Sequence, residues 1–362
     1  MQQNHISSPG LFGISGKSNR DTTKRSHWGK NEFNSSFPAS LLCFMNKKNV
    51  NPIYLKLDND LKVIHQEISV NSLFEMNPDD DNIYFSFEDS FAPYQSFIRG
   101  QLPRSDLVIL DNSDLKSPWR RSLEIKLTAL PDNTTYQLSE DHFSCEMVFR
   151  PTAIVHLALS ISYSFRAKRD DLLDILSEAV SDIFNWRSKE EVVEKTVNFI
   201  SSLNKSFLQL LDRQEPFIIQ PIWKTKGKRS ILEDNCLDVF VWSNFAFTRL
   251  FIDPASNINN PKKRITRQQR CIFWLVRMLY DFALSGSLNP TLITSEMAYE
   301  LQTDKAFAIS GTKSWNYLKS DQLTKPRIHR SEIKNIILNG GHMLLSPERR
   351  FDAAIVNTPE LF

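Results

Sequence analysis

The sequence is short of cysteine, of glycine and of any excess of charge of one sign, and each shortage narrows the field. Four cysteines, Cys43, Cys145, Cys236 and Cys271, are scattered over 362 residues without a CxxC pair, and the seven histidines show no HxxxH spacing. This argues against a zinc site or a disulfide framework and for four reduced thiols in a cytoplasmic protein. Ten glycines against 25 phenylalanines argue against a low-complexity or disordered chain. No apolar run approaches the roughly 20 residues needed to cross a bilayer. The opening MQQNHISSPG lacks the apolar core of a secretion signal. Lys and Arg total 44 against 42 Asp and Glu, a net charge of +2, so any nucleic-acid partner has to be met by a local basic surface.

What is present is an ordinary globular composition, 41% hydrophobic and 24% charged, long enough for one large or two modest domains. Residues 1–37 are polar. Leu41 to Val70 reads as short strands, with a hairpin in Ile53–Lys62 turning at Asp58-Asn59-Asp60. Residues 77–82 form a loop. Residues 102–130 carry two strand patterns separated by a polar connection with Pro118. Ala153 to Phe165 is an apolar segment whose periodicity leaves helix and buried strand open.

Helices are expected over Asp170–Trp186 and from Ser188 to about Leu211. Ser188 and Glu191 give the second a capping box, with Val193, Val197, Ile200 and Phe207 facing the core. Strands follow at Phe217–Trp223 and Leu237–Phe245, then a helix over Arg267–Leu284 stopped by Gly286. The mixture predicts an α/β or α+β fold. We divide it into 1–37, 38–212 and a mixed strand and helix region, 213–362.

The chemistry concentrates in Pro103-Arg-Ser-Asp106-Leu-Val-Ile-Leu and Ser122-Leu-Glu124-Ile-Lys126-Leu. Leu123, Ile125 and Leu127 alternate with Glu124 and Lys126, so a strand places the carboxylate and the ammonium on one face, roughly 6–7 Å apart. Buried charge of this kind needs partners. Asp106 opens the preceding strand, and hairpin pairing brings it to Glu124. Two carboxylates and the Ile125 carbonyl form the oxygen-rich site that Mg²⁺ takes. Such an ion activates water and polarises a phosphate, while Lys126 orients the water or meets the developing charge. Asp/Glu-x-Lys recurs at Asp60, Asp114 and Glu332, but the first sits at a turn, the second in the connection and the third at a helix start. Spacing alone leaves an exposed Glu/Lys pair on an edge strand as an alternative.

The run PRSDLVIL…SLEIKLTALPD resembles the active-site region of PD-(D/E)XK type II restriction endonucleases, and more narrowly their HindVP-like group. Asn19-Arg-Asp21 and Trp28-Gly-Lys30-Asn31-Glu-Phe-Asn34-Ser-Ser-Phe-Pro38 resemble a second motif of that group. The resemblance implies a restriction-endonuclease-like core with a mixed central sheet flanked by helices. It makes Asp106 and Glu124 the acids and Lys126 the lysine of the site, with Mg²⁺ as cofactor. It also implies cleavage of both strands of duplex DNA at a short palindrome, of GRCGYC type, by a homodimer paired with a separate methyltransferase. One departure stands out: Ser105, not proline, precedes Asp106.

Lys30, Asn31 and Asn34 suit phosphate or base-edge contacts, or belong to a segment packed through Trp28, Phe33 and Phe37. Lys262, Lys263, Arg264 and Arg267 form a basic run leading into a helix and are candidate DNA contacts, as is the run Lys224–Arg229; a solvated loop is the alternative for each. Glu88 is a candidate further acid. Trp223, Trp242 and Trp274 read as core residues. A repair nuclease of the same fold and a non-enzymatic DNA-binding protein are the competing readings.

Overall fold

The computed structural model describes residues 30–126, 128–130, 146–225, 232–256, 264–305, 307–310 and 325–339. A mixed sheet of nine strands runs through it. Its path is β2 (Val63–Glu67), β1 (Ile53–Leu57), β9 (Leu232–Ser243), β8 (Pro216–Thr225), β5 (Trp119–Ile125), β4 (Ser105–Asp111) and β3 (Ile83–Asp89). Two short strands join it at the side: β6 (Thr128–Leu130) on β8, and β11 (Ile328–His329) on β9. β1 with β9 and β5 with β8 are parallel, and the other neighbours on the path are antiparallel. A second, two-stranded sheet pairs β7 (Glu146–Phe149) with β10 (Phe307–Ser310).

Strand alternation divides the sheet's side chains between two cores. On one face Val108, Ile218, Ile222, Phe240 and Trp242 pack under five helices. These are α3 (Pro151–Ser164), α4 (Arg169–Val180), α5 (Lys189–Leu208), α6 (Asn244–Ser256) and α7 (Arg267–Ser285). On the other face Leu107, Ile109, Leu123, Ile125, Ile219, Val239 and Val241 meet α1 (Lys30–Lys48), α2 (Val70–Phe74) and α9 (Glu332–Asn339). The short α8 (Pro290–Glu296) completes the set. The three tryptophans expected in the core are each no more than 1% exposed. No helix among the described residues is long and apolar enough to cross a membrane.

The hairpin at Asp58 to Asp60 and the loop at 77–82 form as expected, and the ambiguous 153–165 segment is helical. Several expectations need correction. Residues 41–48, expected as strand, belong to α1, which starts at Lys30 and so crosses the boundary placed at residue 37. Every residue from Phe37 to Phe44 for which a helical face would be sought is apolar or small and buried, Pro38 included, so no amphipathic period marks the helix.

The helix expected to reach Trp186 ends at Val180; the amides of Phe184 and Asn185 instead donate to the Glu191 carboxylate. That same contact halves the capping box. Ser188 Oγ accepts from the Glu191 amide, but the Glu191 side chain reaches back past it. Val197, expected in the core, is 75% exposed, because α5 buries the stripe Val192, Thr196, Phe199, Leu203 instead. The strand expected to Phe245 stops at Ser243, and α6 begins at Asn244. α7 keeps its expected frame: Thr266 and Gln269 make a complete capping box, and Gly286 ends the helix at φ 77°.

Cys43, Cys236 and Cys271 are buried, and Cys145 lies outside the described residues. Burial pushes the thiols of Cys236 and Cys271 up to about 12. Since the thiolate is the nucleophile, both should resist an aromatic disulfide reagent at pH 8 and react on denaturation. Stoichiometric labelling of either in the native protein, followed by peptide mapping, would contradict this packing.

Candidate active site

Asp106, Glu124 and Lys126 meet because of one strand register. β4 and β5 pair antiparallel with Leu107 opposite Leu123, which sets Asp106 across from Glu124. The next strand locks the other side: Glu124 pairs with Ile218, and the Lys126 amide donates to the Ile219 carbonyl at 3.0 Å. Leu123 and Ile125 anchor β5 in the α1-side core, so Glu124 turns to the α3 face. Asp106 is fixed by its own backbone bond, with Oδ2 accepting from the Ile125 amide at 2.8 Å.

The Lys126 ammonium lies among three oxygens. Glu124 Oε2 is 3.1 Å away, the Ile125 carbonyl 3.2 Å and Asp106 Oδ2 3.7 Å. The sequence named these same three groups as metal ligands. They are hard oxygen donors converging on one point that a cation already occupies, which fits a small divalent ion. Among the described residues no cluster of three or more His, Cys, Asp and Glu side chains forms a metal cage. Two carboxylates and a carbonyl suit Mg²⁺, which keeps several waters.

The electrostatics separate the two acids. Burial, then the Glu124 charge, raise the Asp106 carboxyl above its ordinary range. Burial also works against ionised Glu124, but His156, then Lys126, outweigh it and hold that carboxyl low. Burial works against charged Lys126 too, yet Glu124 and Asp106 keep its ammonium above the ordinary lysine value. Glu124 is 8% exposed, so this compensation is what lets it remain charged.

Ser105, which stands where the resemblance implies proline, is 1% exposed, and its hydroxyl stands 2.5 Å from that of Ser122. A proline there would leave Ser122 without this partner. Glu88 falls at the β3 position between Phe87, opposite Leu107, and Asp89, opposite Ser105. That is the register place beside Asp106, and Glu88 takes it half-buried with φ 47°.

The other candidates lie as follows. Lys30, Asn31 and Asn34 belong to the first turns of α1. Lys262 and Lys263 lie outside the described residues, as do 226–231 of the other basic run. Arg264 acts on Glu300, and the start of α7 that carries Arg267 is anchored by Arg270, which donates to the carbonyls of Leu301 and Gln302. The basic neighbours acting on Glu124 include two residues that sequence reading missed, His156 and Arg150. A signal existed: His156, Ser160 and Ser164 recur at four-residue spacing in a largely apolar segment, which puts three polar groups on one helix stripe.

No solved structure matches the chain. Two curated proteins match it almost end to end. The type II restriction enzyme HgiDI of Herpetosiphon aurantiacus is 45% identical over 359 residues, 99% of this chain and 98% of the relative. A probable type II restriction enzyme HindVP of Haemophilus influenzae is 40% identical over 354 residues, 98% and 95% of the two chains. The HindVP restriction endonuclease family matches residues 28–362. With a paired-carboxylate and lysine site on its central sheet and relatives of this length and identity, the chain belongs to the HindVP restriction endonuclease family.

Proposed function

We propose that this protein is a Mg²⁺-dependent type II restriction endonuclease of the PD-(D/E)XK type. It hydrolyses one phosphodiester in each strand of duplex DNA at a short palindrome, of GRCGYC type. The observation that carries this reading is the convergence of Asp106, Glu124 and the Ile125 carbonyl on the Lys126 ammonium at 3.1–3.7 Å. Bound Mg²⁺ supplies Lewis acidity to the phosphate and lowers the pKa of water. Asp106, Glu124 and the Ile125 carbonyl would hold the ion, and the Ile125 amide fixes Asp106 through its hydrogen bond to Oδ2. Lys126 donates to the attacking water and offsets the charge that gathers on the phosphate as the P–O ester bond breaks. The attacking water gives up its proton to solvent and the expelled alkoxide takes one from solvent, so the protons balance.

Two cuts on a two-fold site call for two copies of this site, hence a homodimer. The host genome then requires a separate methyltransferase at the same sequence. Arg264, exposed before α7, and the half-buried Arg267 in its first turn, together with Lys262 and Lys263, are assigned to the DNA backbone or to guanine edges. So are Lys30, Asn31 and Asn34 of α1.

The test is incubation of the full chain with plasmid DNA and Mg²⁺, with and without EDTA, followed by sequencing of the ends. Discrete fragments sharing one short palindrome, lost with EDTA, are expected. Ends that track DNA structure instead of sequence, or no cleavage with Mg²⁺, Mn²⁺ or Co²⁺, would overturn the assignment.

A further inference from the structure

Glu124 is held from two sides, by different oxygens. Oε2 faces Lys126 at 3.1 Å, and Oε1 faces the Nε2 of His156 at 3.5 Å. His156 comes from α3, is 4% exposed, and its Nδ1 has no hydrogen-bond partner among the described residues. It is the first of three polar residues on one stripe of α3. Ser160 and Ser122 both hydrogen-bond Tyr94, and Ser164 Oγ donates to Glu215.

The spacing explains why the stripe works. Four residues of helix advance about 6 Å, and two residues of strand about 6.6 Å. His156 and Ser160 on α3 therefore step at nearly the same interval as Glu124 and Ser122 on β5. A seam of buried polar groups results, with the helix in register against the catalytic strand. Most of the helix around the stripe is apolar: Ala153, Ile154, Leu157, Ala158 and Ile161 are each no more than 2% exposed. An imidazole in such a setting is costly unless its partner repays it, and its partner is one oxygen of the central carboxylate.

We propose that His156 is a positioning residue for Glu124: it engages Oε1 from the helix side and so leaves Oε2 directed at Lys126 and the metal. The inference rests on the metal-site reading above. Groups that orient a metal's carboxylate ligands typically change metal affinity by about 10- to 100-fold when removed.

The experiment measures Mn²⁺ binding to the full chain, without DNA, by electron paramagnetic resonance. Wild type is compared with His156→Leu, His156→Gln and Glu124→Ala, with thermal unfolding recorded in EDTA. His156→Leu is expected to bind Mn²⁺ about 10- to 100-fold more weakly. His156→Gln, which keeps a donor within reach of Oε1, should recover most of the loss. A merely structural role would instead make affinity follow the unfolding temperature in both variants. Should the leucine variant fail to fold, His156→Asn takes its place, because its amide is too short to reach Oε1. Wild-type Mn²⁺ affinity in the leucine or asparagine variant, or equal loss in the glutamine variant, overturns the inference. Failure of the wild type to bind Mn²⁺, or unchanged binding in Glu124→Ala, overturns the metal-site reading itself.

Discussion

Replacing Lys126 with alanine should slow cleavage by on the order of 10²- to 10³-fold, the range set by losing one donor to a developing anion. Binding to duplex DNA should survive. The physical reason is that the strand is held in place without the Lys126 side chain. Its amide bond to Ile219 belongs to the backbone, and Leu123 and Ile125 hold β5 in the core without it. What is lost is the ammonium placed 3.1 Å from Glu124 and 3.7 Å from Asp106. Its removal leaves two carboxylates facing each other, so the Asp106 carboxyl should climb further above its ordinary range. Single-turnover cleavage and gel retardation on the same duplex separate the two effects. Full cleavage by the Lys126→Ala protein would remove Lys126 from the site.

A second substitution should abolish activity and stabilise the protein together. Asp106→Asn keeps an oxygen that can accept from the Ile125 amide. It removes the charge that a divalent ion needs, so cleavage should fall by roughly 10³-fold or more, as for loss of a principal electrostatic group. Stability should move the other way. The Asp106 carboxyl is raised in the folded protein, first by burial and then by Glu124. An acid raised on folding weakens the fold wherever it is ionised, that is, above its folded pKa. The penalty vanishes below the unfolded value of 3.8. In EDTA the Asn variant should therefore unfold at a higher temperature than wild type near neutral pH, and the gain should shrink as pH falls below 3.8. The side chain is 35% exposed, so solvent moderates the gain. Destabilisation of the variant at neutral pH would show that Asp106 is a structural residue. The stability and activity trade-off at this residue is the usual mark of a functional site.

Legibility differed sharply between the two halves of the problem. Strand β5 could be read because period-two alternation in Leu123-Glu124-Ile125-Lys126 is local, and context removed the look-alikes at Asp60, Asp114 and Glu332. The structure places those three at a hairpin turn, in the β4–β5 connection and at the first residue of α9. The capped helix at Arg267 was readable for the same reason, since cap residues act within one turn. Helices α1 and α6 were not. Phe37 to Met45 and Phe245 to Ile252 are covered on all sides, so their sequences carry no polar face from which to read a period. Val197 misled because the stripe that α5 buries is chosen by the neighbouring helices and not by α5 alone.

The opening site shows where the division falls. The sequence by itself determined that Glu124 and Lys126 share a strand face and that an acid heads the strand before it, because these follow from backbone geometry over a few residues. Only the tertiary structure decided that Asp106 stands across from Glu124, since a pairing register is a property of two strands. Only it brought His156 of α3, and Arg150 just before that helix, to bear on that carboxylate from more than 20 residues downstream. Charge acts through space at a few ångströms whatever the chain separation, and no local pattern records which distant residue will supply it.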